Sequence, residues 1–523
     1  TVTLLKDTSE TVNIAEGKDI VLDLNGKTLT SDKASTATVS NDGTVRITSS
    51  VEGGKITRGT TKYYVILNHG TMTIDGAITV ENTNGSDTSS LIDNGWYYPD
   101  ERPDGKYAVL TIDGGEFVTA TPIAIKNDEF GRLTVNGGTF TATNQSVQNW
   151  GYAELHGGHF TSQVIGWSYD NMPDDKIGTV IDGGKYDSGV GSIYSGATGD
   201  VMGYLVPDKA SPLDISGGSF KSAVHYSYFA EGFVADVTKV DEEGYVTVEA
   251  NETGYVAAVG GIGYVSLQTA INAAGSGETV TLLKDTSETV NIAEGKDIVL
   301  DLNGKTLTSD KASTATVSND GTVRITSSVE GGKITRGTTK YYVILNHGTM
   351  TIDGAITVEN TNGSDTSSLI DNGWYYPDER PDGKYAVLTI DGGEFVTATP
   401  IAIKNDEFGR LTVNGGTFTA TNQSVQNWGY AELHGGHFTS QVIGWSYDNM
   451  PDDKIGTVID GGKYDSGVGS IYSGATGDVM GYLVPDKASP LDISGGSFKS
   501  AVHYSYFAEG FVADVTKVDE EGY

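Results

Sequence analysis

The chain has 523 residues, of which 69 are acidic and 34 are basic, and its net charge is -35. It contains no cysteine, which excludes disulfides, thiolate metal sites and a cysteine nucleophile. The acidic excess argues against nucleic acid as a partner, and the absence of any run of about 18 apolar residues argues against a membrane-spanning helix. Because 37% of the residues are hydrophobic, we expect a folded acidic protein and not a disordered one.

A long internal repeat organises the chain. Residues 1–245 recur letter for letter as residues 279–523, and each copy carries 17 basic and 33 acidic side chains. The expected domains are a first β-helix copy without an N-terminal cap at residues 1–245, a connector at 246–262, and a capping helix followed by the second copy at 263–523. The first copy begins where its own cap would have ended, so we expect a longer array built on a unit of 278 residues.

A shorter motif recurs within each copy: apolar, any, apolar, polar, Gly, Gly, any, aromatic. Its clearest examples are residues 110–117, 133–140, 153–160, 179–186 and 213–220. The commonest spacing is 20 to 27 residues, which is too short for a helical crossover and is typical of one coil of a β-solenoid. Alternating apolar residues predict short strands, and glycine supplies the corners. We predict an all-β fold: a right-handed parallel β-helix in two tandem identical copies, with a short capping helix at the junction.

Longer spacings predict loops that leave the coils at residues 84–105, 167–175 and 194–212. Aromatic rings among carboxylates, amides and arginines are typical of sugar-binding surfaces, where ring faces pack on C–H groups. The candidate binding residues are Trp96, Tyr97, Tyr98, Asp100, Arg102, Trp167 and Tyr169, with Trp374, Tyr375, Tyr376, Trp445 and Tyr447 in the second copy. The alternative is that these rings only cover the loops or pack between the copies.

Carboxylates before the glycine turns are interpreted as turn residues, since Asp caps turns through its own side chain. They are Asp23, Asp75, Asp113 and Asp182. A polysaccharide lyase or hydrolase would need carboxylates gathered on one face, with an arginine beside them in the lyase, and no such motif is visible. We therefore predict no catalytic residue.

His156 and His159 suggest a metal site, but other coils place unlike residues at both positions. Two imidazoles without a third ligand in the motif make a surface role the favoured interpretation over zinc. We expect no metal ligand set and no cofactor, and structural calcium is left open.

The junction carries the predicted helix. Ser266 is its expected N-cap and Gly275 its end. The apolar stripe consists of Leu267, Ala270, Ile271 and Ala274. Because the open end of a solenoid exposes core side chains and unpaired backbone, we expect this helix to cap the second copy. The strand-like residues 246–250 and 256–259 favour a stiff junction.

Two stretches of the second copy, GYVSLQTAINAAGSGETVTLLKD at 263–285 and IVLDLNGKTL at 298–307, carry a family resemblance. They resemble the pectate-lyase-like β-helix repeats of large surface proteins of Gram-positive bacteria. The resemblance is close at the start of each copy and loose in its later coils. It implies a non-enzymatic cell-surface stalk or adhesin, or an extracellular filament, located at the bacterial surface or cell wall.

The partners implied by this resemblance are neighbouring identical repeats in the same or adjoining chains. A host or microbial glycan and a surface protein are further candidates, which the aromatic loops would contact. The alternatives are a polysaccharide-active lyase or hydrolase of the same fold, and a glycan-binding module.

Overall fold

The computed structural model describes residues 1–96, 98–170, 172–174, 176–195, 201–202, 211–374, 377–448, 450–452, 454–473, 479–480 and 489–523. The chain forms two compact units. Unit 1 comprises Thr1–Gly254 and Gly261–Gly263, and unit 2 comprises Tyr255–Gly260 and Tyr264–Tyr523. No helix of the described residues is both long enough and apolar enough to cross a membrane.

Unit 1 consists of three sheets: nine coils each contribute one short strand to sheets A and B, and the first eight of them also contribute one to sheet C. Sheet A contains Val2–Thr3, Asp19–Asp23, Thr44–Thr48, Thr71–Ile74, Ala108–Ile112, Gly131–Val135, Tyr152–Leu155, Gly178–Ile181 and Leu213–Ile215. Sheet B contains Thr8–Ser9, Thr28–Thr30, Gly54–Thr57, Ile78–Asn82, Glu116–Thr119, Thr139–Thr141, His159–Phe160, Lys185–Tyr186 and Ser219–Phe220, followed by the antiparallel strands Val246–Ala250 and Phe233–Val240. Sheet C contains Val12–Ile14, Val39–Asn41, Ile66–Asn68, Ile92–Asn94, Ile123–Asn127, Gln145–Asn149, Gln163–Ser168 and Val190–Tyr194, followed by the antiparallel strand Val201–Met202.

Unit 2 repeats this arrangement. Sheet D contains Glu278–Leu282, Asp297–Asp301, Thr322–Thr326, Thr349–Ile352, Ala386–Ile390, Gly409–Val413, Tyr430–Leu433, Gly456–Ile459 and Leu491–Ile493. Sheet E contains Thr286–Ser287, Thr306–Thr308, Gly332–Thr335, Ile356–Asn360, Glu394–Thr397, Thr417–Thr419, His437–Phe438, Lys463–Tyr464 and Ser497–Phe498. Sheet F contains Val290–Ile292, Val317–Asn319, Ile344–Asn346, Ile370–Asn372, Ile401–Asn405, Gln423–Asn427, Gln441–Ser446 and Val468–Tyr472, followed by the antiparallel strand Val479–Met480.

Successive strands of a sheet lie one coil apart in the chain and pair in parallel, as in a solenoid. The prediction of an all-β fold with long parallel sheets is therefore confirmed. Short 3-10 turns occupy Pro99–Glu101, Tyr226–Tyr228, Pro377–Glu379 and Tyr504–Tyr506.

The core of each unit is a set of side-chain stacks, because equivalent residues of successive coils lie in register. In sheet B the rings of Phe117, Phe140, Phe160, Tyr186 and Phe220 stack with centroid separations of 4.8, 5.0, 4.9 and 4.7 Å. These separations match the spacing of about 4.8 Å between paired strands, so ring stacking and strand pairing support one another.

The two glycines of the repeated motif are required for different reasons. A Cβ on the first one, at Gly157, would lie 2.3 Å from the carbonyl oxygen of Asn136 in the preceding coil. The second one, Gly158, has a φ of +99°, a conformation that other residues rarely adopt. The corner therefore needs both glycines, one for space and one for backbone conformation.

A ladder of buried asparagines, which the sequence pattern did not predict, runs along sheet C. The Nδ2 group of each of Asn41, Asn68, Asn94 and Asn127 donates to the Oδ1 atom of the next asparagine, ending at Asn149, over 2.8, 2.7, 2.7 and 2.7 Å. Each amide thus satisfies a buried neighbour in the adjacent coil. Unit 2 contains the same ladder.

The residues of the predicted connector divide between the two units. Val246–Ala250 pairs within sheet B of unit 1, and Ala257–Val259 pairs antiparallel with Glu278–Leu282 in unit 2. The short strand Ile262–Tyr264 follows.

An α-helix occupies Leu267–Ala273, and the side chain of Ser266 accepts a hydrogen bond from the backbone N–H of Thr269. Ala270 and Ile271 are fully buried in the core of unit 2. The Ser266 cap and the apolar stripe place the helix against the first coil of that unit.

Candidate functional site

The candidate binding residue Trp96 lies in a packed cluster. It is buried with Ala108 and Phe130, and its ring stacks on the imidazole of His69 at a centroid distance of 5.0 Å. The guanidinium of Arg102 lies 3.8 Å from the centroid of Phe130. The Trp96 ring and the Arg102 guanidinium are therefore both engaged by neighbouring rings within the fold, and Trp374 packs as Trp96 does in unit 2.

The neighbouring loop residues Tyr98 and Asp100 are exposed, with 60% of Tyr98 accessible to solvent. Of the two rings of this loop that the structure describes, Trp96 and Tyr98, the tyrosine ring is therefore the one that a large ligand can reach more directly. The candidates Tyr97, Tyr375 and Tyr376 lie outside the described residues.

Trp167 and Tyr169 come together with Trp150 on the outer side of sheet C. The rings of Trp150 and Trp167 stack at 5.0 Å, and the ring of Tyr169 lies 6.0 Å from that of Trp150. The hydroxyl of Tyr169 donates to Glu129 over 3.2 Å. Trp445 and Tyr447 make the equivalent contacts in unit 2. Binding by these residues remains a prediction.

A cluster of charged residues shares the outer side of sheet C, and we call Asp93, Lys126 and Asp128 the carboxyl cluster. Asp93 and Lys126 are paired positions on adjacent strands, and the lysine forms an ion pair with Asp128. Ser90 Oγ lies 3.4 Å from Asp93 Oδ2. Both carboxyl groups are fully buried. The sequence signal was a charge inside two apolar strand patterns, Leu-Ile-Asp-Asn and Ile-Lys-Asn-Asp.

Burial dominates the electrostatics of this cluster. Loss of water, and then the nearby Asp128, raise the pKa of Asp93 well above its usual value, which favours the protonated acid. Burial pulls the pKa of Lys126 down, but the carboxylates of Asp128 and Asp93 outweigh that effect and raise it. Burial also raises the pKa of Tyr64, with Asp93 and Asp128 adding to the effect. Asp371, Lys404 and Asp406 repeat the cluster in unit 2.

Such a carboxyl pair can hold or exchange a proton, but catalysis also requires that a substrate reach it. The fully buried carboxyl groups of Asp93 and Asp128 are closed to a polysaccharide in this conformation. One oxygen of each, Asp93 Oδ1 and Asp128 Oδ2, is buried without a hydrogen-bond partner among the described residues. Burying two carboxyl oxygens without partners costs free energy of folding, and it makes the stability of the unit depend on pH.

The turn carboxylates mainly connect one coil with the next. Asp23 accepts a hydrogen bond from the backbone N–H of Asn25 over 2.9 Å, which confirms the predicted turn capping at this position. It also accepts one from the backbone N–H of Ser50 in the following coil over 2.8 Å.

The other three turn carboxylates pair with side chains of neighbouring coils. Asp75 binds Arg46 over 2.6 Å, Asp113 binds Asn136 over 2.7 Å and Asp182 binds His156 over 2.7 Å. These carboxylates are thus distributed along the stack, one coil after another.

The arginine side chains have structural partners too. Arg58 is buried and donates to the carbonyl oxygens of Lys33, Thr36 and Thr61 over 2.7, 2.8 and 2.8 Å. Arg132 forms an ion pair with Asp174. Neither guanidinium adjoins the carboxyl cluster through any of these contacts.

Each of the two histidines of the predicted surface pair contacts an aspartate of the next coil. His156 pairs with Asp182, and His159 lies 2.9 Å from Asp187, which also binds Lys221 over 3.1 Å. In the part of the chain that the structure describes, no three His, Asp or Glu side chains are grouped so that they could hold a metal ion.

Unit 2 has a groove of about 550 Å³ between the helix and the outer side of sheet F. Amide, hydroxyl, carboxylate and imidazole groups line it, among them Gln268, Asn291, Ser318, Asp320 and His347. The imidazole stacks on Trp374 at 4.8 Å, so the groove adjoins one of the candidate binding residues.

Comparisons with protein-family models, with curated proteins and with solved structures found no match for this chain. The family resemblance noted in the sequence therefore stays a prediction.

Proposed function

We propose that the chain is a non-enzymatic stalk or adhesin of a bacterial cell surface, built of tandem right-handed parallel β-helix repeats. The right-handed sense is the one that connections between parallel strands of one sheet almost always take. The helix at Leu267–Ala273 serves as the cap of the second repeat. The resemblance to Gram-positive surface repeats and the exact duplication of 245 residues support this proposal.

One observation carries the proposal: among the described residues, the asparagine ladder, the stacked rings and the turn carboxylates make contacts from coil to coil, and none of these groups gathers around an accessible centre. The Asn68 amide and the Phe140 ring each bridge two neighbouring coils, and the surface pair Arg46–Asp75 does the same. This design extends a stack by repetition, which suits a molecule whose useful property is length.

Two measurements test the proposal together. Immunogold labelling of intact producing cells is expected to show the chain on the outer surface, as is its release by protease treatment of those cells. Purified chain incubated with a panel of acidic and neutral polysaccharides is expected to produce neither new reducing ends nor the ultraviolet absorbance of unsaturated products.

Labelling only after cell lysis would overturn the surface assignment. Cleavage that disappears in the Asp93→Asn/Asp371→Asn variant, but persists in the turn variant Asp113→Asn/Asp391→Asn, would overturn the non-enzymatic assignment. That result would support the alternative function, a polysaccharide lyase or hydrolase.

A second candidate function, glycan binding, is favoured by the exposed ring of Tyr98 beside the exposed carboxylate of Asp100. A glycan array probed with the full chain tests it, with Tyr98→Ala/Tyr376→Ala as the loss variant. Trp96→Ala is a poor control because it removes a packed ring, which would disturb the loop. Equal binding by wild type and the tyrosine variant would exclude this loop as the contact.

A further inference from the structure

The groove beside the helix of unit 2 crosses three successive strands of sheet F. Asn291, Ser318 and Leu345 are the middle residues of these strands, and they pair with one another from coil to coil. The residues on either side of each are buried, so these three side chains point away from the core and line the groove. The groove therefore runs along the stack, with one such side chain in each coil.

Polar residues border both long sides of the groove. Lys311 and Thr314 precede the strand Val317–Asn319 and line one side. Asp320 follows that strand and lines the other side, where its Oδ1 atom lies 3.4 Å from His347 Nδ1. An ammonium group and a carboxylate thus stand on opposite sides of the groove.

The fold holds the walls of the groove in place. At the helix, Gln268 exchanges two hydrogen bonds with the backbone of Asn291, over 3.0 and 2.6 Å, and donates to Asn272 Oδ1 over 2.9 Å. At the opposite wall, the ring of Trp374 stacks on His347 at 4.8 Å. Because these side chains are already ordered, a ligand that enters the groove has little ordering entropy to lose there.

Several lining side chains have hydrogen-bonding groups to spare. Among the described residues, the side chains of Asn291, Ser318 and Lys311 make no hydrogen bond or ion pair within the chain. The amide and the hydroxyl can each donate and accept, and the ammonium group donates. Leu345 adds an apolar surface beside them. The lining suits a ligand that carries donors, acceptors and C–H faces close together.

We propose that this groove binds a neutral, linear oligosaccharide that lies along the stack. Sugar hydroxyls both donate and accept, so they match Asn291, Ser318 and Asp320, while the C–H face of a ring packs on Leu345. A pyranose unit is nearly as long as the spacing of about 4.8 Å between paired strands, so successive units meet successive coils. The inference rests on the glycan-binding function proposed above and gives it a contact surface and a ligand class.

Two other ligand classes match the groove less well. The strands Val317–Asn319 and Ile344–Asn346 are paired on both sides, and Gln268 occupies the backbone of Asn291, so a peptide finds no free strand edge here. Among the described lining residues, Lys311 carries the one ammonium group, and the chain has a net charge of -35. Phosphate esters and other polyanions are therefore disfavoured.

Isothermal titration calorimetry of the full chain tests the proposal. The probes are neutral tri- and tetrasaccharides of β-linked glucose, xylose, mannose and N-acetylglucosamine, with the corresponding monosaccharides beside them. We expect at least one oligosaccharide to bind saturably. Its monosaccharide should bind about tenfold more weakly or less, because it contacts a single coil of the groove.

A matched pair of substitutions locates the binding. Ser318→Trp fills the groove and is expected to weaken binding about tenfold or more. Thr351→Trp places the same ring on the outer side of sheet D in the same unit and should leave the affinity unchanged.

Two milder variants keep the test valid if Ser318→Trp folds poorly. Asn291→Ala and Lys311→Ala remove exposed side chains, so the melting temperature should stay at the wild-type value. Each is expected to weaken binding about threefold to tenfold through the loss of a hydrogen bond to the sugar.

No saturable binding of any of these oligosaccharides at about 1 mM, the level of a very weak complex, would overturn the proposal. Wild-type affinity in Ser318→Trp, Asn291→Ala and Lys311→Ala would overturn it too, and loss in Tyr98→Ala/Tyr376→Ala alone would assign glycan binding to the loop. Binding of acidic saccharides only would refute the neutral ligand class. Surface labelling and the cleavage assay do not depend on the groove, so its failure is distinguishable from failure of the proposed function.

Discussion

The same eight residues, FVADVTKV, stand at 233–240 and at 511–518 and adopt different structures. In unit 1, Phe233–Val240 is a strand paired with Val246–Ala250, and Val234 is fully buried. In unit 2, the structure has no strand over residues 511–518, and Val512 is 87% exposed. Among the residues that the structure describes, no strand lies against residues 511–518 as Val246–Ala250 lies against Phe233–Val240. Strand formation at this site is therefore decided by the neighbouring strand and not by intrinsic propensity.

The largest effect that separates the two units is expected from Ile271→Asp. The substitution places an unpaired charge in the core that the helix shares with the first coil of unit 2. It should destabilise unit 2 by about 3–5 kcal/mol and leave unit 1 unchanged. Chemical unfolding followed by a label on each unit, at Ser9→Cys or Ser287→Cys, measures the two stabilities separately. An equal loss in both units would contradict the assignment of the helix to unit 2.

Substitutions in the asparagine ladders should destabilise the two units equally, because the surroundings of the ladder are the same in both units. Asn127→Ala and Asn405→Ala each leave a donor and an acceptor of neighbouring asparagines unsatisfied. Each is expected to cost about 2–3 kcal/mol in its own unit. The same two unit labels report the losses of unfolding free energy. Clearly different losses in the two units would show that the ends of a stack affect the stability of its middle.

A variant in which the sequence of residues 246–254 directly follows Tyr523 should give the second FVADVTKV segment the same structure as the first. Those residues supply the strand that pairs with Phe233–Val240 in unit 1, so residues 511–518 are expected to pair and become protected. A single Val515→Cys thiol measures this: its reaction with a soluble maleimide should slow about tenfold, equivalent to about 1.4 kcal/mol. An extension that carries Val→Asp at the position of Val248 is the control, and equal slowing there would refute specific pairing.

The smallest effects are expected from changes of pH, and the first of them concerns the carboxyl cluster. Because folding raises the pKa of Asp93, its contribution to stability is present below the pKa of the unfolded chain and is lost as pH rises through the folded value. In the Asp93→Asn/Asp371→Asn variant the two substituted side chains are neutral at all pH values. It should match wild type near pH 4 and exceed it in melting temperature near pH 8. A variant less stable than wild type at pH 8 would contradict a raised pKa.

A second pH effect has the opposite sign and lies at the acid end. Burial raises the pKa of Asp465, but hydrogen bonds from Tyr523, Lys499 and His437 outweigh it and lower the pKa to about 2. The stability from this carboxylate is therefore present above the usual aspartate value and is lost as pH falls toward about 2. Tyr523→Phe should shift that acid loss upward in pH, measured by circular dichroism.

The sequence predicted most of the fold because its strongest signal, the glycine pair once per coil, reports a local need for space and for positive φ at positions such as Gly157 and Gly158. The third sheet was harder to predict. Its signal is an apolar-any-Asn triplet in five successive coils, from Val39–Asn41 to residues 147–149, and asparagine is ordinarily read as a turn residue. Only the stacking of coils turns it into a buried rung.

The candidate site was less predictable for the same reason. Trp96 stands in a polar loop, and the sequence does not reveal that its ring stacks on His69 and is buried in a cluster with Phe130. Asp93 and Asp128 are far apart in the chain and meet only because two coils lie side by side. Burial and cross-coil proximity are properties of the register, which composition and motif spacing do not encode.

The asparagine ladder also has a mechanical consequence. Each rung is held by the rung before it and by the rung after it, so a pull applied to one end of a unit loads the rungs one at a time. Coils are then expected to detach in succession, each releasing 20 to 27 residues, or roughly 70 to 95 Å of extended chain. A stack of this kind is expected to yield in many small steps under tension and to wind back rung by rung when the tension falls.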